Sequence, residues 1–511
     1  MAQTKNTLNE LILKINENNI FIKSPDESDI TYGELISYMK DTYSKLSSIK
    51  INKKDKVAIV LGNGSSMACT FIAIAANFTS CPLNPSYTKE EFKFYYDDLK
   101  VKAVIIEENK SIEARVAAKE LNIEVINLKR KTELHTITLD INTDVKNEKE
   151  YLSETSQEDV AMILHTSGTT SRPKMVPLSQ KNLLASAKNI SKTLNLNEYD
   201  ICLNIMPMFH IHGLIAAILA PIYESGTIIT PSGFDALKFF RWLNDFKPTW
   251  YTAVPTMHQA ILARAPRNID IIKNNQLKFI RSSSASLPAT VMEKLEKTFN
   301  TCVIESYGMT EATHQMTSNP LPPNKRKAGS VGLAAGPEVA LLLDGKILHN
   351  IKENQNITGQ IIIKGENVTE GYINNPEANS ESYIDGWFLT GDEGVFDNDG
   401  YLKITGRLKE IINRGGEKIS PKEIDEILME HQSIQQAVAF SVPHEKLGED
   451  LYAAVIIKEN VEISENNLKE YCKQRLTQFK IPRKILIVEE IPKGATGKLQ
   501  RIGLYKKLGI K

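Results

Sequence analysis

Hydroxyl side chains are concentrated in one short stretch, TSGTTSRPK, which occupies residues 166–174. Five of its nine residues are serine or threonine, and Gly168, Arg172 and Lys174 complete a set suited to anions. Backbone N–H groups, hydroxyls and a lysine that converge on one point bind phosphate oxygens well, and glycine lets the backbone approach. A solvated turn fits the same composition. The stretch is not a Walker A loop, because G-x-x-x-x-G-K-[ST] occurs nowhere in the chain.

The flanking residues indicate that this stretch joins a strand to a helix. The apolar run DVAMILHT before it is typical of a buried strand. After it, Ser179 is placed to cap a helix, and the apolar face of that helix would consist of Leu183, Leu184, Ala187 and Ile190. Similar runs, KVAIVLGN and VKAVIIEE, alternate with helical patterns. That alternation predicts βα units and mostly parallel sheets.

The pattern changes after about residue 365. A stretch rich in turns and aromatic residues predicts antiparallel strands, and DNDG (397–400) predicts a hairpin turn because it lacks the spacing of a calcium loop. Beyond Arg407, SPKEIDEILMEH predicts a helix with Ser420 as N-cap, Pro421 at its first position and Glu423 completing a capping box. Further runs predict a second helix reaching Leu476 and two strands, so the C-terminal part is a small α+β domain.

Bulk composition limits the classes of function. The 511 residues include 62 basic and 62 acidic side chains, and this balance argues against a nucleic-acid surface or a polybasic membrane anchor. Five scattered cysteines without a CxxC pattern favour neither a disulfide framework nor a zinc site. The N-terminus lacks a signal-peptide pattern, the longest apolar span is too short to cross a membrane, and the C-terminal LGIK differs from a peroxisomal ending. We therefore expect a cytoplasmic protein without nucleic-acid or membrane partners.

Five motifs together resemble those of the adenylate-forming superfamily, which includes acyl-CoA synthetases, luciferases and the adenylation domains of peptide synthetases. In chain order they are TSGTTSRPK, ESYGMTEAT, LTGDEG, GRLKEIINRGGEKISP and PKGATGKLQR. The resemblance spans almost the whole chain and implies an α/β fold. It implies a large N-terminal domain (1–407) of two doubly wound βα subdomains plus a small β-barrel-like part, and a small mobile α+β C-terminal domain (408–511). The implied partners are small molecules, and we expect a monomer or weak oligomer.

The same resemblance implies a two-step reaction and assigns residues to it. A carboxylate would be activated by ATP to an acyl-adenylate, with Mg²⁺ as cofactor, and the acyl group would then pass to coenzyme A. The implied ATP-binding residues are Thr166, Ser167, Gly168, Thr169, Thr170, Ser171, Arg172, Pro173, Lys174, Glu305, Ser306, Tyr307, Thr310, Asp392, Arg407 and Lys498. The implied catalytic residues are Lys498, Thr170 and Glu311, of which Thr170 and Glu311 would hold the metal.

Several of these residues would have distinct tasks. Tyr307 would stack on adenine, and Asp392 would accept hydrogen bonds from the ribose with help from Arg407. Lys498 would bridge carboxylate and phosphate, a task suited to a compact charge on a long stem. The small domain would rotate about Lys409 between the two half-reactions. The glycine pair Gly415 and Gly416 would lie in the loop that faces the thiol.

The acid pocket would be built from four stretches, MPMFHIHGL, WYTAVPTMHQ, FIRSSSASLP and EATHQM. They hold His210, His212, His258, His314, Arg281 and the serines Ser282, Ser283 and Ser284. This set is short and polar, whereas a fatty acid needs a long apolar tunnel. A second substrate carboxylate would need such donors, because an unpaired buried charge is very costly. The stretches are especially similar to the oxalate–CoA ligase branch, in which His210, Ser284, His314 and Lys498 would hold oxalate.

Other functions remain open. Another acyl- or aryl-CoA ligase, of the 4-coumarate or fatty-acid type, shares every ATP motif. A stand-alone amino-acid-adenylating enzyme usually carries an aspartate for the amino group, and neither FHIHGL nor WYTAVPTMHQ has one. A non-enzymatic ATP-binding protein is disfavoured by the retained Lys498 and Glu311, and a zinc site at His210 and His212 by the lack of an accompanying cysteine or carboxylate. Met175 departs from the family loop, which usually has glycine there.

Overall fold

The computed structural model of the chain describes residues 6–25, 27–131, 136–141, 152, 154–166, 173–349, 356–459, 461–492 and 501–510. Within these residues the N-terminal part contains two large, mostly parallel sheets and one smaller antiparallel sheet, and a further sheet lies near the C-terminus. The predicted α/β fold class is therefore confirmed. The domain boundary at residue 407 stays a prediction.

The strands, in chain order, are β1 (Ile20–Ser24), β2 (Glu27–Thr31), β3 (Lys56–Val60), β4 (Thr79–Pro82), β5 (Ala103–Glu107), β6 (Glu124–Lys131), β7 (Thr136–Leu139), β8 (Val160–Thr166), β9 (Lys174–Ser179), β10 (Ile201–Asn204), β11 (Thr227–Ile229), β12 (Trp250–Ala253), β13 (Phe279–Ser282), β14 (Cys302–Met309), β15 (His314–Ser318), β16 (Leu333–Ala334), β17 (Glu338–Leu343), β18 (Lys346–Leu348), β19 (Thr358–Lys364), β20 (Tyr383–Ile384), β21 (Trp387–Phe396), β22 (Leu402–Arg407), β23 (Ile412–Arg414), β24 (Glu417–Ile419), β25 (Ile434–His444), β26 (Gly448–Ile457) and β27 (Lys484–Ile487).

The α-helices are α1 (Leu8–Ile12), α2 (Tyr32–Ser48), α3 (Ser65–Asn77), α4 (Lys89–Leu99), α5 (Ile112–Glu120), α6 (Gln180–Thr193), α7 (Ala220–Tyr223), α8 (Phe239–Phe246), α9 (Pro255–Arg264), α10 (Ile269–Asn274), α11 (Ala289–Phe299), α12 (Pro376–Ser382), α13 (Pro421–Glu430), α14 (Glu465–Lys473) and α15 (Leu504–Lys507). A π-helix spans His212–Leu219, and 3₁₀ turns span Ala265–Arg267, Thr310–Ala312, Leu408–Glu410 and Gln478–Lys480. Among the described residues, no helix is long and apolar enough to cross a membrane.

The two large sheets have parallel interiors and antiparallel edges. In the described residues, one sheet has the order β7-β6-β5-β3-β4-β8-β9 and the other the order β16-β15-β14-β13-β12-β10-β11-β1-β2. Their inner strands are buried along almost their whole length, as expected when helices cover both faces of a sheet. Strands β17–β22 form the antiparallel sheet, and β23–β27 form the C-terminal sheet with α13, α14 and α15 around it.

The main apolar core lies between the two large sheets. Phe71 of α3, Leu183 of α6 and Trp250 of β12 belong to this one cluster, which also contains the π-helix. Separate cores cover the outer faces, one around Leu243 of α8 and one around Phe92 of α4. The two sheets are thus held together by a shared core.

The predicted N-terminal caps of α6 and α13 can be compared with the structure. Ser179 caps α6, accepting the N–H of Asn182 at 3.2 Å, and the predicted apolar face is buried. At α13, Ser420 is the N-cap residue and Pro421 is the first helical residue, as predicted, but the predicted capping box does not form. The Ser420 hydroxyl donates instead to the carbonyl of Thr405 at 2.5 Å, and Glu423 accepts from Lys480 at 2.7 Å, because long-range partners replace the local ones. Helix α14 ends at Lys473, short of the predicted Leu476.

The DNDG turn connects β21 to β22, as predicted. Gly400 has φ +84°, a left-handed conformation that glycine adopts without strain. Lys327 Nζ lies 2.5 Å from an oxygen of Asp397 and 2.6 Å from one of Asp399. Asp397 and Asp399 therefore share Lys327 as their ion-pair partner. The same hairpin places Asp392 and Arg407 on adjacent strands.

Candidate active site

Tyr307 and Arg407, from two other motifs, both contact the carboxylate of Asp392. Asp392 and Arg407 pair across β21 and β22, and Arg407 Nε donates to Asp392 Oδ1 at 2.7 Å. The Tyr307 hydroxyl, from β14, donates to Asp392 Oδ2. Burial, followed by this carboxylate, raises the pKa of the Tyr307 hydroxyl well above its usual range, so the hydroxyl remains a donor. A buried carboxylate beside a tyrosine ring suits the ribose and base of a nucleotide.

A second carboxylate, Glu311, lies buried in the 3₁₀ turn that follows β14. Tyr372 Oη donates to Glu311 Oε1 at 2.9 Å, and Lys174 Nζ lies 4.5 Å from the centroid of the Tyr372 ring. Burial raises the pKa of Glu311, while hydrogen bonds and the nearby cations Lys174 and Arg407 act in the opposite direction. The structure therefore brings the lysine of the hydroxyl-rich stretch to the acidic residue of ESYGMTEAT.

The surroundings of Glu311 fit a magnesium ion. Tyr372 binds one oxygen of the carboxylate, which leaves lone pairs for a cation. Mg²⁺ is usually held by one or two carboxylates together with substrate phosphates and water. In the part of the chain that the structure describes, no group of three or more histidine, cysteine, aspartate or glutamate side chains is arranged for a metal. A magnesium ion at Glu311 would therefore share its coordination with phosphate oxygens.

The hydroxyl-rich stretch begins and ends on paired strands. Thr166 of β8 and Lys174 of β9 are direct partners, and Pro173 immediately precedes β9. Met175 packs into the outer core of the seven-stranded sheet, so the apolar residue that replaces the family's glycine is accommodated by burial. The roles of the following residues stay predictions because they lie outside the described residues: Ser167, Gly168, Thr169, Thr170, Ser171, Arg172 and Lys498.

We expect Lys174→Ala to weaken ATP binding. Losing one charge-assisted hydrogen bond to phosphate should raise the apparent KM for ATP about 10-fold or more, with little change in the KM for the acid. Steady-state kinetics with each substrate varied in turn measure both constants. Lys181→Ala, at an exposed position in α6, is the matched control. A rise confined to the KM of the acid would place Lys174 outside the phosphate site.

A polar cluster lies where the parallel strands of the nine-stranded sheet end. His212 Nδ1 lies 3.0 Å from Ser284 Oγ, and the rings of His212 and His314 stack with centroids 4.8 Å apart. Ligands of open α/β sheets bind at these carboxyl ends of strands. The three side chains thus form a compact polar site at the edge where β14 also presents Tyr307.

A fully buried arginine lies directly behind this cluster. Arg281 Nη1 lies 3.4 Å from His212 Nε2, and Thr252 Oγ1 lies 2.6 Å from the same nitrogen. Thr252 and Arg281 are partners on the parallel strands β12 and β13, so the sheet register places them side by side. Burial lowers the pKa of Arg281 to about 9. The polar cluster of His212, Ser284 and His314 therefore has a buried cation directly behind it.

The backbone of the cluster adopts uncommon conformations. Ser284 and His314 have φ +70° and +94°, which is costly for residues other than glycine and is often found at functional sites. A Cβ at Gly308 would lie 1.8 Å from the carbonyl oxygen of His314, so only glycine permits β14 and β15 to approach so closely. His212 begins the π-helix, a rare element that frequently occurs at functional sites.

Sequence reasoning named His212 and Arg281 as pocket residues without giving either a specific role, and it missed Tyr372. The assignment of His210 to oxalate stays a prediction. Its ring lies against Phe209, with centroids 4.5 Å apart, and the neighbouring His212 contacts Ser284 and His314. Both histidines belong to the stretch FHIHGL. Arg281 was noted in the stretch FIRSSSASLP, but the sequence did not show that it would be buried without a carboxylate partner among the described residues. Tyr372 carried no signal beyond its aromatic ring.

Other predicted residues support the site from behind. The N–H of Leu287 donates to Glu305 Oε1 at 2.9 Å, and burial raises the pKa of Glu305 to about 7. The Ser283 hydroxyl donates to the carbonyl of Ser306 at 2.9 Å. Thr310 begins the 3₁₀ turn that carries Glu311. Direct contact of Glu305, Ser306 and Thr310 with nucleotide stays a prediction.

The predicted hinge lies where the C-terminal elements begin. Lys409 is in the 3₁₀ turn directly after β22, and Lys422 Nζ donates back to the carbonyl of Ile404 at 2.8 Å. Gly415 and Gly416, with φ +62° and +98°, form the tight turn between β23 and β24. The rotation and the thiol-facing role of this turn stay predictions.

Comparison with known proteins gives one consistent result. The sequence profile of the AMP-binding enzyme family matches residues 14–373, and that of the AMP-binding enzyme C-terminal domain matches residues 423–498. The chain is 42% identical to an oxalate–CoA ligase of Arabidopsis thaliana over 93% of this chain and 92% of that protein. It is 36% identical to an oxalate–CoA ligase of Saccharomyces cerevisiae over 95% and 94% of the two chains. The ATP-bound crystal structure of MatB from Rhodopseudomonas palustris superposes with a TM-score of 0.88 at 26% identity, covering 99% and 100% of the two chains.

Proposed function

The chain belongs to the AMP-binding enzyme family. We propose that it joins oxalate to coenzyme A and converts ATP to AMP and pyrophosphate in doing so. It is an AMP-forming acid–thiol ligase that uses ATP and Mg²⁺, with coenzyme A as co-substrate. The observation that carries the choice of acid is the polar cluster of His212, Ser284 and His314 with Arg281 behind it. Two relatives named for oxalate support the same choice.

The nucleotide side of the site would hold ATP from both ends. Tyr307 would lie against adenine, and Asp392 would accept hydrogen bonds from the ribose hydroxyls while Arg407 stays paired with it. Lys174 and the loop before it would bind the β- and γ-phosphates. Magnesium, when bound at Glu311, would reduce the negative charge of the phosphates that the acid must approach.

The acid side of the site would hold one oxalate carboxylate and expose the other. Ser284 and His314 would hold the carboxylate that does not react. An oxygen of the other carboxylate attacks the α-phosphorus of ATP, and pyrophosphate leaves, which gives oxalyl-adenylate. The thiol sulfur of coenzyme A then attacks the acyl carbon, loses its proton and displaces AMP. Lys498 would balance the charge of carboxylate and phosphate during the first step.

The reaction products separate this proposal from its rivals. With oxalate, ATP, Mg²⁺ and coenzyme A we expect AMP, pyrophosphate and oxalyl-CoA in equal amounts. An amino-acid-adenylating enzyme would release pyrophosphate with an amino acid and form no thioester with coenzyme A. A thioester formed only with fatty or aromatic acids would retain the ligase but exclude oxalate.

His314→Ala tests whether the polar cluster binds the acid. Removing one contact to a charged carboxylate should lower kcat/KM for oxalate about 10²-fold and leave the KM for ATP nearly unchanged. Steady-state kinetics measure both. His431→Ala is a matched control, since His431 packs against Tyr471 in the C-terminal part of the chain. Unchanged kinetics with oxalate in His314→Ala would remove this residue from the acid site.

A further inference from the structure

Arg281 is a buried cation surrounded by neutral groups. Its hydrogen-bond partners among the described residues are His212, Thr252 and Gln315, and within the same residues its Nε has no partner. In that part of the chain, no aspartate or glutamate forms an ion pair with the guanidinium. Burying an arginine charge without a carboxylate partner destabilises the folded protein, so we expect this side chain to serve a function.

The orientation of the guanidinium is fixed by Gln315. The amide nitrogen of Gln315 donates to the carbonyl of Ala335 at 3.0 Å and to Thr193 Oγ1 at 3.1 Å. A carbonyl oxygen only accepts, so the amide orientation is determined and Gln315 Oε1 must face Arg281 Nη2, 3.2 Å away. The other arm of the guanidinium is thereby aimed at the imidazole of His212.

These donors determine which nitrogen of His212 carries the proton. Arg281 has no acceptor, so at Nε2 of His212 it can only donate. The Thr252 hydroxyl lies 2.6 Å from the same nitrogen and can donate to it as well. Nε2 is therefore the acceptor, and the proton of the neutral ring is on Nδ1. The N–H at Nδ1 then donates to Ser284 Oγ at 3.0 Å.

The hydroxyl of Ser284 is consequently left with its own proton to donate. Its lone pair is occupied by His212, and among the described residues no second partner takes the hydroxyl proton. Ser284 follows the carboxyl end of β13, where the proposed acid site lies. The hydrogen-bond network thus runs from the buried guanidinium of Arg281 through His212 to Ser284. The hydroxyl at its end is a donor, which suits an anion.

We propose that Arg281 is a positioning residue that acts through His212 to make the Ser284 hydroxyl a donor to the carboxylate of the acid that does not react. This inference rests on the proposed function, because it needs an acid with a second anionic group. The geometry assigns Arg281 no direct contact with substrate. Its cation and its fixed hydrogen bonds favour an anion at the end of the network over a neutral or apolar group.

A double-mutant cycle tests the coupling between Arg281 and Ser284. Arg281→Met and Ser284→Ala should each lower kcat/KM for oxalate about 10²-fold, mainly through KM, with the KM for ATP unchanged. Since both remove the same donor, the double variant should lose at most about 3-fold more. Arg241→Met is the control and should have wild-type kinetics, because Arg241 is exposed and pairs with Asp245. Losses that multiply to about 10⁴-fold would overturn the relay.

Variants of His212 keep the test decisive if Arg281→Met does not fold. Asparagine can present an amide N–H in place of Nδ1–H, so His212→Asn should retain oxalate kinetics within about 5-fold, whereas His212→Leu should lose about 10²-fold in kcat/KM. Equal kinetics of these two variants would contradict the inference. If the wild-type protein prefers an acid without a second anionic group, the proposed function fails. If oxalate is preferred but Arg281 and Ser284 are uncoupled, only the relay fails.

Discussion

Replacing Lys498 by alanine should slow formation of the acyl-adenylate by at least about 10²-fold, the scale for losing one preorganised charged donor. Transfer of the acyl group from a preformed adenylate to coenzyme A should change by no more than about 3-fold, because the carboxylate and the phosphate are already joined in the adenylate and no longer have to be brought together. The first step joins two anions, and a lysine between them offsets their repulsion. The variant should therefore separate the two half-reactions.

The structure describes the residues that flank 493–500, the stretch that includes Lys498. Downstream, Arg501 Nε donates to Glu410 at 2.9 Å and its Nη2 to Asp425 at 2.5 Å. Upstream, Ile491 is fully buried in the C-terminal part. The described residues on both sides of 493–500 are thus held by elements that follow Lys409.

Rapid-quench kinetics measure the two steps separately. The adenylation rate is followed with ATP and oxalate, and the transfer rate with isolated acyl-adenylate and coenzyme A. Lys506→Ala, at an exposed position in α15, controls for loss of a positive charge nearby. A loss of similar size in both steps would remove Lys498 from its assigned role.

Much of the fold could be predicted from short-range patterns. The runs that form β3, β5 and β8 are apolar because helices cover both faces of their sheet. Their burial could therefore be predicted from their composition alone. The capping box at Ser420 failed for the opposite reason. Its hydroxyl and Glu423 found partners at Thr405 and Lys480, and contacts of that range depend on tertiary packing.

In the candidate site, too, some residues could be named from motifs, whereas other contacts depend on tertiary packing. Motif resemblance selected Tyr307, Asp392 and Arg407, which the structure brings together. It named His210 for oxalate, which stays a prediction, and it did not foresee the contact of His212 with Ser284, because that contact depends on where the chain enters the π-helix. The isolation of Arg281 depends on the register of three neighbouring parallel strands, which sequence reasoning did not specify.

Selectivity among acids should be the largest effect of all. A site built to pair a polar group rejects analogues that lack it by about 10⁴-fold, whereas an apolar pocket distinguishes chain lengths by only about 10–200-fold per methylene. Acetate and glyoxylate have no second carboxylate, so Ser284 and the buried Arg281 would be left without an anion. Malonate keeps the second charge but displaces it by one methylene from its donors. We therefore expect oxalate to exceed malonate, and malonate to exceed acetate.

The most direct test is the specificity constant for CoA-thioester formation by the wild-type protein. Oxalate, malonate, glyoxylate, acetate, a medium-chain fatty acid and 4-coumarate should be compared at saturating ATP, Mg²⁺ and coenzyme A. The proposed site predicts the highest kcat/KM for oxalate and a value about 10⁴-fold lower for acetate. A higher kcat/KM for the fatty acid or for 4-coumarate than for oxalate would contradict the proposed acid and leave the AMP-forming ligase in place.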